Sequence, residues 1–138
     1  MVSKELQTKY IQLQLMKQQV SAFVEEKNLI DEKMSELVSA VNALNKLKDV
    51  EKGGEMWSPV GGSVFVRSDI KDVEQVLVSV GAGVALKKQR AEAIDILQSR
   101  LEELAKLDRN IVAELKKFSG HIESLESDVQ QLAEKESE

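Results

Sequence analysis

One histidine and no cysteine leave this chain of 138 residues with few side chains for metal or nucleophile chemistry. A zinc site needs several His or Cys ligands, and a histidine-assisted hydroxyl needs its partner in reach, so His121, beside Gly120, assembles neither within the chain. It reads as a surface residue. Gly81-Ala82-Gly83 has the first two glycines of a dinucleotide loop, but Leu86 stands where the third is required. A strand pattern also follows where that loop needs a helix. The segment reads instead as a hairpin turn. With no pocket-forming element and no cluster of titratable groups, the expectation is a protein that is not an enzyme and takes no cofactor or metal.

The formal charge of −5 argues against a nucleic-acid partner, because phosphate binding draws on a basic face that releases counterions. Lysines here are interleaved with acids. The absence of cysteine is compatible with a reducing compartment. Met1 to Glu5 lacks the apolar core of a signal peptide, and the weakly polar run Val76 to Leu86 is too short to span a bilayer. The expectation is a soluble cytoplasmic protein with no membrane partner.

Two segments carry the fold signal. Leu6, Leu13, Met16, Val20, Phe23, Ile30, Met34, Leu37, Val41 and Leu44 recur in alternating steps of three and four, interrupted only by Lys9 and Lys27. Ile94, Leu97, Leu101, Leu104, Ile111, Leu115, Phe118, Ile122, Leu125, Val129 and Leu132 do the same, broken only by Asp108. A repeat near 3.5 residues keeps a narrow seam against one partner helix, as in a coiled coil. About 45 residues at 1.5 Å each give a helix of roughly 65 Å, so an elongated molecule is expected. Antiparallel folding pairs residues whose numbers sum to 138, such as Leu13 with Leu125, Val20 with Phe118 and Leu37 with Leu101. In that register Lys27 faces Ile111 and Asp108 faces Ile30, one layer apart. A diagonal Lys27–Asp108 pair is the expected register pin, set against two side chains that reach water independently.

Between the helices the composition changes to Pro59, the glycines Gly61, Gly62, Gly81 and Gly83, and β-branched runs. Val64 to Val66 and Val76 to Val80 read as strands, with Gly61-Gly62 and Gly81-Ala82-Gly83 as turns. The division is therefore a first helix over 1–50, two β-hairpins over 51–88 and a second helix over 89–138, within one mainly α domain. So short an insert cannot bury Met56, Trp57, Val64, Phe65, Val66, Val76, Val78, Val80 and Val84 by itself, and these are the expected subunit contacts. Trp57 reads as a plug between subunits rather than as a binding handle.

The order long helix, two glycine-turn hairpins, long helix resembles the archaeal prefoldin α-class family. The motifs that carry the resemblance are Ser58-Pro59-Val60-Gly61-Gly62-Ser63-Val64-Phe65 and Val78-Ser79-Val80-Gly81-Ala82-Gly83-Val84. Gly62 departs from the family's P-x-G-A-G form, where an alanine is expected. The resemblance implies an ATP-independent holding chaperone, built as a hexamer of two α and four β prefoldin subunits on a β-barrel base formed by the hairpins. It implies partners in unfolded polypeptides and a group II chaperonin, and no nucleotide.

If the hairpins lie at the base, the two termini lie at the free tip of the coil. Off the seam there, Tyr10, Ile11 and Leu15 form an exposed apolar group of the kind that marks contact surfaces. Leu6, Leu13, Val129 and Leu132 join them as candidate client contacts, since helix ends open at little cost; read plainly, they close the coil. The acids Glu123, Glu126, Asp128, Glu134, Glu136 and Glu138 read as a solvated face. The competing functional class is a coiled-coil scaffold or tether with no holding activity.

Overall fold

The computed structural model describes residues 3–50 and 53–137; Met1, Glu51 and Glu138, used above to bound segments, lie outside the described residues. The elements run α1 (Lys4–Leu47), β1 (Glu55–Gly61), β2 (Val64–Asp69), β3 (Gln75–Gly81), β4 (Val84–Gln89) and α2 (Arg90–Ser137). This is the mainly α arrangement expected, with two antiparallel hairpins between two long helices.

No Gly or Pro interrupts α1. Its start is capped by Ser3, whose Oγ accepts from the Leu6 N–H at 3.1 Å, satisfying one of the donors a helix start leaves free. Its last turn tightens into contacts from Asp49 N to the Lys46 carbonyl and from Val50 N to the Leu47 carbonyl, both 3.1 Å. At the other end of the insert, α2 follows β4 directly, and the Arg90 N–H donates to the Glu74 carbonyl at 2.7 Å. That bond fixes where the second helix leaves the strands.

The chain divides into two compact units, one of residues 1–34 with 104–138 and one of residues 35–103. In the first, Leu13, Ile30 and Ile111 are buried, and Leu6, Met16, Val20, Phe23 and Met34 are half-buried. The helices run antiparallel there. Lys9 meets Asp128 at 3.0 Å, Lys17 meets Glu126 at 3.3 Å, and Lys27 meets Asp108 at 3.0 Å. The rings of Phe23 and Phe118 lie 5.7 Å apart. These pairs have residue numbers summing to between 135 and 143, on either side of 138. Phe118, expected opposite Val20, thus meets Phe23.

In the second unit Leu37, Val41, Ala93 and Leu97 are buried on the helices and Val78 on β3. The strands extend beyond the expected runs. In the first hairpin Glu55 pairs with Asp69, and the register shifts between Pro59 and Gly61; in the second Gln75 pairs with Gln89, with the shift between Ser79 and Gly81. The hairpins thus repeat each other twenty residues on. Gly62 and Ser63 have φ of 57° and 62°, and Ala82 and Gly83 have 51° and 74°. Two successive left-handed residues are what a tight hairpin loop needs to match the twist of its strands. The first turn is centred on Gly62-Ser63, one residue later than expected, because Gly61, at φ 107°, is used in the bulge that precedes it.

Candidate functional site

Tyr10, Ile11 and Leu15 are each more than half exposed, since the seam positions Leu13 and Met16 take the contact with α2. Leu15 lines an open groove of about 450 Å³ with Gln12, Met16, Gln19, His121, Ser124 and Leu125. Tyr10 and Ile11 lie outside that groove. Of the other sequence-derived contacts, Leu13 is only 5% exposed, whereas Leu6, Val129 and Leu132 are half-buried. Leu132 borders a smaller groove with the charged residues Glu5, Lys9, Asp128 and Lys135. The first of these grooves thus mixes the apolar Leu15, Met16 and Leu125 with polar side chains, and the second is bordered mainly by charges.

The two charged seam residues come together. Lys27 Nζ lies 3.0 Å from Asp31 Oδ2 and 3.0 Å from Asp108 Oδ1. The hydrogen bond to Asp31, followed by that to Asp108, holds the Lys27 ammonium above its ordinary pKa. Near the termini the Ser3 N–H donates to Glu136 Oε1 at 2.8 Å. Hydrogen bonds from the Ser3 hydroxyl and backbone hold the Glu136 carboxyl below its ordinary value.

The hairpins differ in how much of their surface the chain itself covers. On the first, Trp57 is 62% exposed, and Met56, Val64, Phe65 and Val66 are exposed as well. Only Ser58 and Ser68 are half-buried; their hydroxyls hydrogen-bond at 2.6 Å. Arg67 lies over the Trp57 ring at 5.4 Å and 3.6 Å from Glu55. On the second hairpin, Val78 is 7% exposed and Val76 half-buried, while Val80 and Val84 remain exposed. Arg100 ties α2 to this hairpin, donating from Nη2 to the Ser79 carbonyl at 2.6 Å. The chain covers Val78 itself, leaving the exposed Val80, Val84 and Leu86 as the open part of that face.

Sequence reasoning missed Leu77 and Val60, both exposed on strands, and Leu29, at 67% exposed on α1. Strand alternation contained the signal for Leu77, which faces away from Val76 and Val78. No helix of the described residues is long and apolar enough to cross a membrane. Among the described residues no group of three or more His, Cys, Asp or Glu side chains is placed to hold a metal ion.

A family model described as prefoldin subunit matches residues 16–135. The prefoldin subunit alpha of Methanococcus vannielii is 32% identical over 96% of this chain and 88% of its own length. That of Thermofilum pendens is 34% identical over 70% of this chain and 74% of its own. Among solved structures, filamentous prefoldin from Methanocaldococcus jannaschii superposes with a TM-score of 0.74 at 20% identity, covering 83% of this chain and 95% of that one. The prefoldin beta subunit of Thermococcus strain KS-1 follows at a TM-score of 0.62, with 16% identity and coverage of 95% and 94%. These two establish the fold. With a family match that covers both hairpins and most of each helix, the chain belongs to the prefoldin subunit family, whose members are chaperones and not enzymes.

Proposed function

We propose that the chain is the α-type subunit of a cytoplasmic, ATP-independent holding chaperone that captures unfolded polypeptides and passes them to a group II chaperonin. The observation that carries the reading is the off-seam group Tyr10, Ile11 and Leu15, which is exposed in a family of chaperones. Leu6, Leu13, Val129 and Leu132 join it when the helix ends open. Weak apolar surface suffices for holding, since several arms on one client raise affinity by about 10² to 10⁴ through effective concentration. The exposed hairpin residues Met56, Trp57, Val64, Phe65, Val66, Val80 and Val84, with Val76 at the margin, support assembly with β subunits as two α and four β on a shared β-barrel. Val78 acts from beneath, seating the second hairpin on its own chain.

The test replaces Tyr10, Ile11 and Leu15 together by Ser. Assembly mass and melting temperature should stay as in the parent, while suppression of aggregation of an unrelated denatured protein falls severalfold. Unchanged suppression would remove these residues from the client surface. A second reading, a coiled-coil scaffold or tether without holding activity, takes support from the fold shared with the filamentous prefoldin of M. jannaschii. Aggregation suppression separates the two, because a scaffold or tether would suppress none, and solution mass with and without a β-type partner shows whether the chain assembles alone.

A further inference from the structure

A further groove in the first unit, of about 220 Å³, is lined by Gln19, Ala22, Phe23, Glu26, Glu114 and Phe118. Two of its lining residues are aromatic. The rings of Phe23 and Phe118 lie 5.7 Å apart, tilted by 38°, and both residues are only half-buried. Its walls include one carboxylate from each helix, Glu26 from α1 and Glu114 from α2. Elsewhere in this unit the helices set opposite charges together, at Lys9–Asp128, Lys17–Glu126 and Lys27–Asp108. Here two like charges border one groove, and among the described residues neither has an ion-pair partner.

Two carboxylates and two aromatic rings bordering one groove make a place where an alkyl cation gains twice. Its carbon stem covers the rings, and its charge meets both the ring quadrupoles and the unpaired acids. The groove shares Gln19 with the larger one that holds Leu15, Met16 and Leu125. A polypeptide crossing Gln19 can therefore place an apolar side chain on one side and a cationic one on the other. We propose that the Phe23–Phe118 groove seats a lysine or arginine side chain of a bound unfolded polypeptide, so that the chaperone prefers apolar segments carrying a positive charge. This rests on the holding function proposed above.

The test uses two labelled peptides, apolar and otherwise uncharged, that differ only in lysine or norleucine at one central position. They are titrated into the assembled protein at low and high salt. The lysine peptide should bind about tenfold tighter at low salt, a difference of about 1.4 kcal/mol. In the double variant Glu26→Gln, Glu114→Gln the preference should vanish while the norleucine peptide binds as before. Glu26→Lys should act alike, because the introduced ammonium can pair with Glu114 and fill the groove; melting temperatures confirm that each variant is folded. Equal affinities in the parent, or a preference that survives the double variant, overturn the proposal. Aggregation suppression is measured in parallel. A parent that suppresses aggregation without preferring lysine loses only the cation seat, whereas a parent that neither suppresses aggregation nor binds either peptide loses the holding function and the seat with it.

Discussion

Gly120 shows how a single residue can soften a helix without shaping its surface. It lies inside α2 with helical backbone, and a Cβ built there meets nothing within 4 Å, so packing gives no reason for a glycine. Gly120→Ala should stabilise the chain by about 1 kcal/mol, read as a higher melting temperature, and should slow amide exchange in the neighbouring turns. A lower melting temperature would mean that the site needs the glycine after all. Glu136 makes a pH statement at the same scale. Its carboxyl titrates below its ordinary 4.5 when the chain is folded, so the stability it contributes is present above pH 4.5 and is lost as pH falls through the lower, folded value. Acidification below 4.5 should release the Ser3–Glu136 contact, and exchange at Leu6 and Gln7 should rise there in the parent more than in Glu136→Gln.

At the scale of the elements, Lys27 and Asp108 cost the seam two apolar side chains, and we infer that they return register. A part-buried ion pair replaced by apolar residues often leaves a protein more stable but less particular about its pairing. Lys27→Leu with Asp108→Leu should therefore raise the melting temperature by several degrees while allowing slipped pairings, seen as extra distances between spin labels at Leu13 and Leu125. A marked loss of stability would contradict the pin. The seam was legible because its signal is local and periodic: the positions named from Leu6 to Leu44 are the inward ones, and Lys9 and Lys27 are half-buried in sequence with them. The hairpins were legible from glycine and β-branched runs. The turn at Ser63 was not, because glycine content alone did not separate the bulge residue from the loop pair. Nor were the Phe23–Phe118 groove and the covering of Val78, since both depend on which side of an element faces its neighbour.

For the whole molecule, the first hairpin is the part that cannot stand alone. Both of its faces carry exposed apolar side chains, and a single two-stranded hairpin is marginal in water. The second hairpin is anchored by Val78 and by Arg100 on the Ser79 carbonyl. The repeat places Pro59 and Ser79 at the same register position. One lacks an N–H to offer, and the other has its carbonyl already engaged. Both leading strands are therefore poor templates at that point, and we infer that β2 and β4 are the sides where a neighbour's strand docks. An assembly built on those two sides would have a direction: it could close on itself without offering every rim to newcomers, a safeguard against runaway polymerisation. Pro59→Val, which restores the missing donor, should shift the mass in light scattering towards larger species, and an unchanged mass would show that this rim is guarded by something else.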